Sequence, residues 1–193
     1  MKSEARNHHF VPQGYLKGFT NNGSKNSKLV VFDLTSRSSF ETIPRNVAAK
    51  RDFNRISIPG VDPNLVESGM SDFEGKATKA LQRVSETRKF IGEDRDYILN
   101  LIALLSIRHP SQRENWRGVQ SRIVEMFMDI TLSSKERWEA SMKQSGIDTE
   151  ITYKQALDFH RQKRYTIKVP TDKHIALEEH CIESILPLLY QRK

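Results

Sequence analysis

The stretch YILNLIALLSI, residues Tyr97–Ile107, decides the fold of this chain. Apolar side chains occupy almost every face of a helix with this sequence, a pattern typical of helices that are buried on all sides. We therefore expect a central buried helix over about residues 94–108 that forms the middle of the core. Pro110 is expected to end this helix, and a capping box from Ser111 to Glu114 is expected to begin the next one.

Helical spacing continues on both sides of this segment. Apolar residues recur every three or four positions from Asn64 onward, and capping residues mark several further starts and ends. Tyr165–Val169 alternates in polarity and predicts one short strand. The other predicted helices cover residues 64–92, Ser111 past Ile130, Ser133–Gly146, Tyr153–Arg164 and Thr171–Tyr190.

The N-terminal region follows a different pattern. Lys28–Leu34 and Ser39–Ile43 predict a β-hairpin around a polar turn. Arg45–Phe53 predicts a short helix or turn, and Arg55–Ile58 predicts a brief strand.

Together these elements predict an α+β fold that is predominantly α-helical, with a small N-terminal β-hairpin packed on a helical bundle. We expect a single domain over residues 1–193. Residues 1–60 would carry the hairpin and a short first helix, and residues 64–193 would form the bundle, with one short strand near residues 165–169.

Composition limits the classes of function. Lys and Arg number 31 against 24 Asp and Glu, giving a net charge of +7. This balance favours polyanionic partners such as nucleic acid, and a solvated basic face explains it equally well. No leader-like or membrane-spanning apolar segment occurs, so we expect a cytoplasmic protein without membrane contact. Glycine-rich phosphate loops, dinucleotide motifs and a nucleophile elbow are also missing from the sequence, which argues against nucleotide hydrolysis, redox and serine-hydrolase chemistry.

His8 and His9 belong to the most specific motif of the chain, NHHFVPQGYL over residues 7–16. The two imidazoles titrate near neutral pH and precede Pro12, the expected first residue of a short helix through Phe19. Adjacent residues of an extended chain point to opposite sides, so one histidine would act as base or metal ligand while the other fixes the backbone. The alternative is a structural histidine that binds a loop carbonyl and caps the first helix.

Glu67, Glu74 and Arg108 are the other candidate site residues. The two glutamates are seven residues apart, so both project from one helix face about 10 Å apart and could flank a substrate. An exposed face paired with nearby lysines would show the same spacing. Arg108 ends the central helix, where its cation complements the C-terminal partial charge or binds a phosphate.

The motif His-His-Phe-Val-Pro-x-x-Tyr-Leu-x-x-Phe is followed at regular distances by Val30–Asp33, Asn46-Val47-Ala48, Asp52-Phe53, and Glu67 with Glu74. This combination, matching in order and spacing through Pro110, resembles the domain-of-unknown-function 4238 family of bacterial and mobile-element proteins. Members usually carry Arg-Thr-Pro where this chain has Arg108-His109-Pro110, and they continue into a C-terminal strand region with a Thr-Ser-Asp-x-Pro motif, which this chain lacks. If that region supplies active-site groups, the chain is a fragment, an inactive relative or a binding version.

The residues and the resemblance favour a nucleic-acid-acting hydrolase, similar to a phosphodiesterase or nuclease, or a degenerate relative, in conflict between bacteria and mobile elements. His8 or His9 would be general base or metal ligand, Glu67 and Glu74 would hold a metal ion or orient water, and Arg108 would steady the scissile phosphate. A divalent metal ion is the candidate cofactor, with His9 and Glu67 as its ligands. The residues expected to contact the nucleic-acid backbone are Lys17, Arg45, Lys50 and Arg51.

The histidine pair also shows a partial likeness to the ββα-metal nucleases, in which the second histidine acts on water. That motif needs a downstream asparagine and histidine. Asn46 fits the first requirement, but no histidine follows until His109. The alternative function is a non-catalytic protein-binding module, such as an inhibitor or adaptor, in which the histidine motif is structural.

Overall fold

The computed structural model of the protein describes residues 6–163 and 165–192. In this part of the chain the fold is α+β and mostly helical, as predicted, with two small antiparallel sheets near the N-terminus. The strands are β1 (Asn7–His9), β2 (Leu29–Asp33), β3 (Ser38–Thr42) and β4 (Ala49–Arg51). The helices are α1 (Gln13–Leu16), α2 (Leu65–Thr87), α3 (Gly92–Ile107), α4 (Pro110–Thr131), α5 (Lys135–Ser145), α6 (Tyr153–Arg161) and α7 (Thr171–Tyr190).

The predicted hairpin is confirmed in β2 and β3, with Leu29 opposite Thr42 and Asp33 opposite Ser38. Its turn depends on local hydrogen bonds. The Asp33 carboxylate accepts the backbone N–H of Thr35 at 2.8 Å and that of Ser36 at 3.2 Å. An acidic residue that binds its own downstream backbone is typical of such turns, which is why the sequence indicates this element clearly.

A second sheet pairs β1 with β4, and the sequence did not predict it. Asn7 lies opposite Arg51, and His9 lies opposite Ala49. The helix or turn expected over Arg45–Phe53 is therefore wrong in its second half, because the helical part is a 3-10 turn at Pro44–Asn46. A three-residue strand carries too little periodicity to be recognised, and its partner lies at the far end of the N-terminal region.

Neither short strand expected elsewhere forms in the described residues. At Arg55–Ile58 the backbone turns, since the Ile56 N–H donates to the Pro63 carbonyl at 3.1 Å. Ile56 is buried, so its apolar character reflects burial in a loop. Tyr165–Val169 is irregular in structure and joins neither sheet, because alternation of polarity does not supply a partner strand.

α2 ends at Thr87, earlier than the expected end near Gly92. Arg88 adopts a left-handed φ of 58°, and its N–H donates to the Val84 carbonyl at 2.8 Å, which closes the last turn. Gly92 is instead the first residue of α3. Arginine is not typical of a left-handed helix end, so the sequence gave no signal for it.

α3 confirms the predicted central helix with one correction. Ile102 is 42% exposed, so the helix is buried on most faces rather than on all of them. The strip that solvent reaches is narrow. The buried residues of α3 are Ile98, Leu99, Leu101, Ala103 and Leu104.

α4 begins at Pro110, one residue before the capping box that we expected from Ser111 to Glu114. The His109 imidazole serves at this helix start, because its Nδ1 accepts the Ser111 N–H at 3.2 Å. A histidine in this role is not part of the usual capping signal.

The starts and ends of the later helices follow from capping residues. Ser134 caps α5 by accepting the Arg137 N–H, so the start expected at Ser133 is one residue early, whereas the stop at Gly146 is confirmed with a φ of 64°. α6 ends at Arg161, and Arg164 lies outside the described residues. Thr171 is the first residue of α7 rather than its cap.

Two compact units make up the chain. The first comprises the chain up to Gln112 and from Pro170 onward, and the second comprises Arg113–Val169. The expectation of a single domain stays a prediction. In the first unit α2, α3 and α7 pack together around Ala77, Leu101 and Leu104. Apolar side chains packed against this centre are Tyr15, Met70, Phe73, Leu81, Tyr97, Leu105 and Ile182.

The second unit contains most of α4 together with α5 and α6. The Tyr153 hydroxyl donates to the Leu132 carbonyl at 2.9 Å, and His160 contacts Asp129 and Tyr165, each at 2.7 Å. These bonds link the start and end of α6 to the end of α4. None of the helices in the described residues is long and apolar enough to cross a membrane.

α1 approaches α2 closely at Gly14. A Cβ at this position would lie 2.1 Å from Thr78 Oγ1 and 3.1 Å from Thr78 Cβ. Only glycine permits this distance between the two helices. The approach places the first helix of the histidine motif directly on the face of α2.

Candidate functional site

His8 on β1 is completely buried. Its Nδ1 accepts the backbone N–H of Asn54 at 2.9 Å, so this nitrogen carries no proton. The same Nδ1 lies 3.9 Å from Oε2 of Glu67 on α2. The register of β1 against β4 thus carries one histidine of the motif inward, to the loop before α2.

Asn54 connects His8 to two of the other predicted site residues. The Asn54 side chain is completely buried, and its Nδ2 donates to Glu67 Oε2 at 2.5 Å. Its Oδ1 accepts a hydrogen bond from Arg108 Nη2 at 2.6 Å. Both ends of the amide are therefore used, and they join the loop after β4 to α2 and to the end of α3.

Arg108 is enclosed by protein groups at the C-terminal end of α3. Only 3% of the residue is exposed, and its Nε lies 3.9 Å from Oε2 of Glu178 on α7, itself buried. Its guanidinium also donates to the sulfur of Met70 at 3.2 Å and stands 5.7 Å from the centre of the Phe53 ring. We call the set His8, Asn54, Glu67, Arg108 and Glu178 the buried network; of its side chains only that of Glu67 is partly exposed, at 26%.

His9 is almost entirely buried and lies next to Gln13 of α1. The Gln13 Nε2 and the His9 Nδ1 are 3.5 Å apart. Burial lowers the pKa of His9, whereas the backbone carbonyls of Pro44 and Arg45 and the charge of Glu67 raise it. Because burial is the largest of these effects, the surroundings of His9 favour its uncharged form.

A separate open cleft lies between α1, the turn at Gly23 and one face of α2. Its volume is about 800 Å³. The ammonium-bearing side chains of its wall are Lys17, Lys25 and Lys79, and the carboxylic acid is Glu74. We call this the lysine cleft. Its remaining lining is Gln13, Gly14, Gly23, Ser24, Ser71, Gly75, Thr78 and Gln82.

Glu74 is the titratable group of this cleft with the most altered acidity. Burial raises its pKa to about 7, the charge of Arg108 opposes this rise, and the charge of Glu67 adds to it. At neutral pH the carboxyl is therefore present in both protonation states. A group of this kind can accept and return a proton in one reaction cycle, as a general base or acid requires.

The predicted site residues thus divide between two places. Glu67 and Arg108 join His8 through Asn54, whereas Glu74 borders the lysine cleft together with Lys17. The other expected nucleic-acid contacts, Arg45, Lys50 and Arg51, are exposed on the turn before β4 and on β4 itself.

The two residues considered for a nuclease-like motif lie elsewhere. The Asn46 amide donates to the Thr42 hydroxyl at 3.0 Å, and His109 stands edge-on to Phe10. The described residues contain no group of three or more His, Cys, Asp or Glu side chains placed to hold a metal ion. The assignment of a divalent metal to His9 and Glu67 stays a prediction.

Several residues of these sites were missed by sequence reasoning. Asn54 directly follows the Asp52-Phe53 step and could have been noticed as a polar residue next to a family-like motif. Glu178 looks like an ordinary helical glutamate, and only its burial reveals it. Lys25 and Lys79 are 54 positions apart, and the fold alone brings them together.

Comparison with known proteins gives one match. A family model described as "Protein of unknown function (DUF4238)" covers residues 7–193. Neither a curated protein nor a solved structure matches the chain.

Proposed function

The chain belongs to the DUF4238 family, and we propose that it is a nucleic-acid hydrolase that cleaves a phosphodiester bond in the lysine cleft. One observation carries the proposal. Glu74, with its pKa raised to about 7, stands in the wall of an open cleft that also presents three lysines. Anionic phosphates are the ligands that such a cleft attracts, and proton transfer is the step that such a carboxyl can perform.

In the proposed reaction Glu74 is the general base. Its ionised carboxylate takes a proton from a water molecule, the water oxygen forms a bond to phosphorus, and the bond from phosphorus to the leaving oxygen breaks. The proton then passes from Glu74 to the leaving oxygen. Lys17, Lys25 and Lys79 neutralise the phosphate charge, which lowers the barrier to attack.

Burial is the main cause of the raised pKa of Glu74, and two residues of the buried network modulate this pKa. Arg108 and Glu67 influence the pKa of Glu74 in opposite directions, so the balance between them adjusts its proton affinity. Gln13 both lines the lysine cleft and approaches His9, which gives His9 an indirect route to the site. In this proposal Arg108 and His8 are positioning residues, because both are buried.

A nuclease assay on the whole chain tests the proposal. Single- and double-stranded DNA and RNA are incubated at low salt with magnesium, with manganese, and with a chelator, since a divalent metal remains the candidate cofactor. The parent protein should cleave at least one substrate. Glu74→Gln should lower turnover by about two to four orders of magnitude, the usual contribution of a general base.

Glu86→Gln is the matched control, because Glu86 is an exposed glutamate of the same helix. It should retain parental activity. If the parent protein cleaves none of these substrates, or if Glu74→Gln cleaves as fast as Glu86→Gln, the proposed function is wrong.

One observation favours a second candidate, the non-catalytic protein-binding module. α4 carries six large apolar side chains that are each between 38% and 61% exposed, and Val124 lies to one side of the other five. The spacing of those five places them within one stripe of about 100° along the helix. These residues are Val119, Ile123, Met126, Phe127 and Ile130. If the nuclease assay shows no activity, the protein-binding function is favoured, with this stripe as the binding surface.

A further inference from the structure

We infer that the lysine cleft takes single-stranded nucleic acid and that an unpaired base stacks on Phe19. The inference rests on the proposed function, since it names the substrate class of the same cleft. It depends on an aromatic group and a second hollow that have no role in the proton-transfer step.

Phe19 is an exposed aromatic residue at the edge of this region. It is 63% exposed and ends the 3-10 turn Lys17–Phe19 that follows α1. The Phe19 ring contacts Tyr15, whose ring centre is 5.3 Å away in an edge-to-face arrangement. Most of the Phe19 side chain is nevertheless exposed to solvent, as base stacking requires.

Phe19 lines a hollow of about 390 Å³ that adjoins the lysine cleft. Together with Tyr15 and Leu81 it makes this hollow more apolar than its neighbour. The two share five lining residues, so they form one continuous trough. The shared residues are Gly14, Lys17, Gly23, Thr78 and Gln82.

The trough therefore has an aromatic part and, next to it, a charged part. The aromatic face lies at one end, the lysines and Glu74 lie at the other, and Lys17 belongs to both. A nucleotide has the same division, with an apolar base face and an anionic phosphate. Proteins that bind single strands combine a cationic groove with aromatic platforms in this way.

Base pairing decides between single and double strands. In a duplex each base is stacked on its neighbours, so its face is not available to a protein ring unless the base is flipped out. An unpaired strand meets no such barrier. Every base has an aromatic face, so we expect tolerance of sequence rather than selection of one base.

Fluorescence anisotropy with the full chain tests the inference. The probes are labelled oligonucleotides of about 12 nucleotides, within the range of site sizes for such proteins, offered as a single strand and as the matching duplex. The single strand should bind more tightly. Phe19→Ala should weaken single-strand binding about 5- to 150-fold, the range for loss of one stacked base, and should leave duplex binding unchanged.

Three further variants keep the result interpretable. Phe19→Trp should restore single-strand binding, since tryptophan also stacks. Phe32→Ala, at an exposed phenylalanine of β2, is the matched control and should bind as the parent does. Lys79→Ala should weaken binding of the single strand and the duplex alike, because it removes a phosphate contact common to both.

The outcomes separate this inference from the proposed function. Equal affinity for both probes, or no effect of Phe19→Ala while Lys79→Ala still weakens binding, overturns the single-strand inference and leaves the lysine cleft standing. Failure of Phe19→Trp to restore binding also counts against stacking. If no probe binds at low salt, both the inference and the proposed function are wrong.

Discussion

The buried network and the lysine cleft share helix α2 but differ in the surroundings of their charged groups. In the network Asn54 binds both Glu67 and Arg108, and a guanidinium faces Glu178 inside the protein. In the cleft Glu74 is half-buried and has an altered pKa. The contrast teaches that a conspicuous polar motif can serve to hold a fold together, while proton chemistry needs a group that substrate and solvent can reach.

Glu67 and Glu74 make this contrast within one helix. They are seven residues apart, and both were expected to flank one substrate. Glu67 accepts a hydrogen bond from the Asn54 amide, whereas burial, with a smaller contribution from the charge of Glu67, raises the pKa of Glu74 to about 7. The two carboxyls therefore differ in chemistry because their surroundings differ. Their spacing in the sequence does not reveal those surroundings.

The largest effect expected on stability comes from Arg108. Arg108→Met removes the cation that faces Glu178 inside the protein, and breaking a buried ion pair in this way costs about 3–5 kcal/mol. The melting temperature should fall by roughly 6–20 °C. The control Arg117→Met, at an arginine with 43% of its side chain exposed that pairs with Glu114 at 3.1 Å, should cost less than about 1 kcal/mol. Equal melting temperatures for the two variants would show that the network is not a structural element.

The next effect concerns the contact that forms the cleft wall. Gly14→Ala would place a Cβ 2.1 Å from Thr78 Oγ1, and overpacking of this kind costs about 1–3 kcal/mol in urea unfolding. Gly18→Ala is the control, since a Cβ there meets nothing within 4 Å. Thr78→Ala should relieve most of the clash in the double variant, because it removes Oγ1 and leaves only the contact of 3.1 Å with the Cβ at position 78. A Gly14→Ala protein as stable as the Gly18→Ala protein would contradict the close approach of α1 to α2.

A smaller effect is the pH dependence that Glu74 gives to stability. Its pKa is about 7 in the folded protein against an ordinary value of 4.5, so between these values the folded state holds a proton that the unfolded chain has released. The resulting stabilisation is complete below pH 4.5 and is lost as the pH rises through 7. Glu74→Gln should remove this loss, so that above pH 7 the variant is more stable than the parent by about 1–2 kcal/mol, a value reduced for partial exposure.

Urea unfolding of both proteins from about pH 5 to about pH 8 measures this difference. Parallel curves for parent and variant across that range would mean that the acidity of Glu74 is not altered, and the general-base role would lose its main support.

The smallest effect separates the cleft lysines from the other basic residues. Lys79→Gln should lower the salt dependence of nucleic-acid binding by about one unit of slope, as loss of one phosphate contact does. Lys50→Gln should change the slope less, because Lys50 is exposed on β4 and is not part of the cleft lining. The reverse order of effects would place the nucleic-acid surface on β4, where two of the four expected contacts, Lys50 and Arg51, lie.

Sequence reasoning succeeded where the determining interactions are local. The central helix, the hairpin turn at Asp33 and the stop at Gly146 each depend on residues within a few positions of one another. It failed at β4, whose partner is distant, and at Arg88, whose left-handed conformation is unusual for arginine.

The candidate site was predicted in part for the same reason. His8, Glu67 and Arg108 were identified individually, but the residue that joins them, Asn54, was not. The lysine cleft combines Lys17 from one motif with Lys25 and Lys79 from segments that show no motif. Side chains that meet only through tertiary packing leave no periodic signal in a single sequence.

The position of α7 has a consequence for how the chain is made on the ribosome. α7 packs against α3. In the sequence, the residues of the second unit lie between these two helices. During synthesis the apolar face of α3 is therefore complete long before α7 emerges from the ribosome. The contact between Arg108 and Glu178 cannot form during the same interval. The core of the first unit stays partly uncovered until α7 has been synthesised. During this interval the chain is most exposed to aggregation and to chaperones.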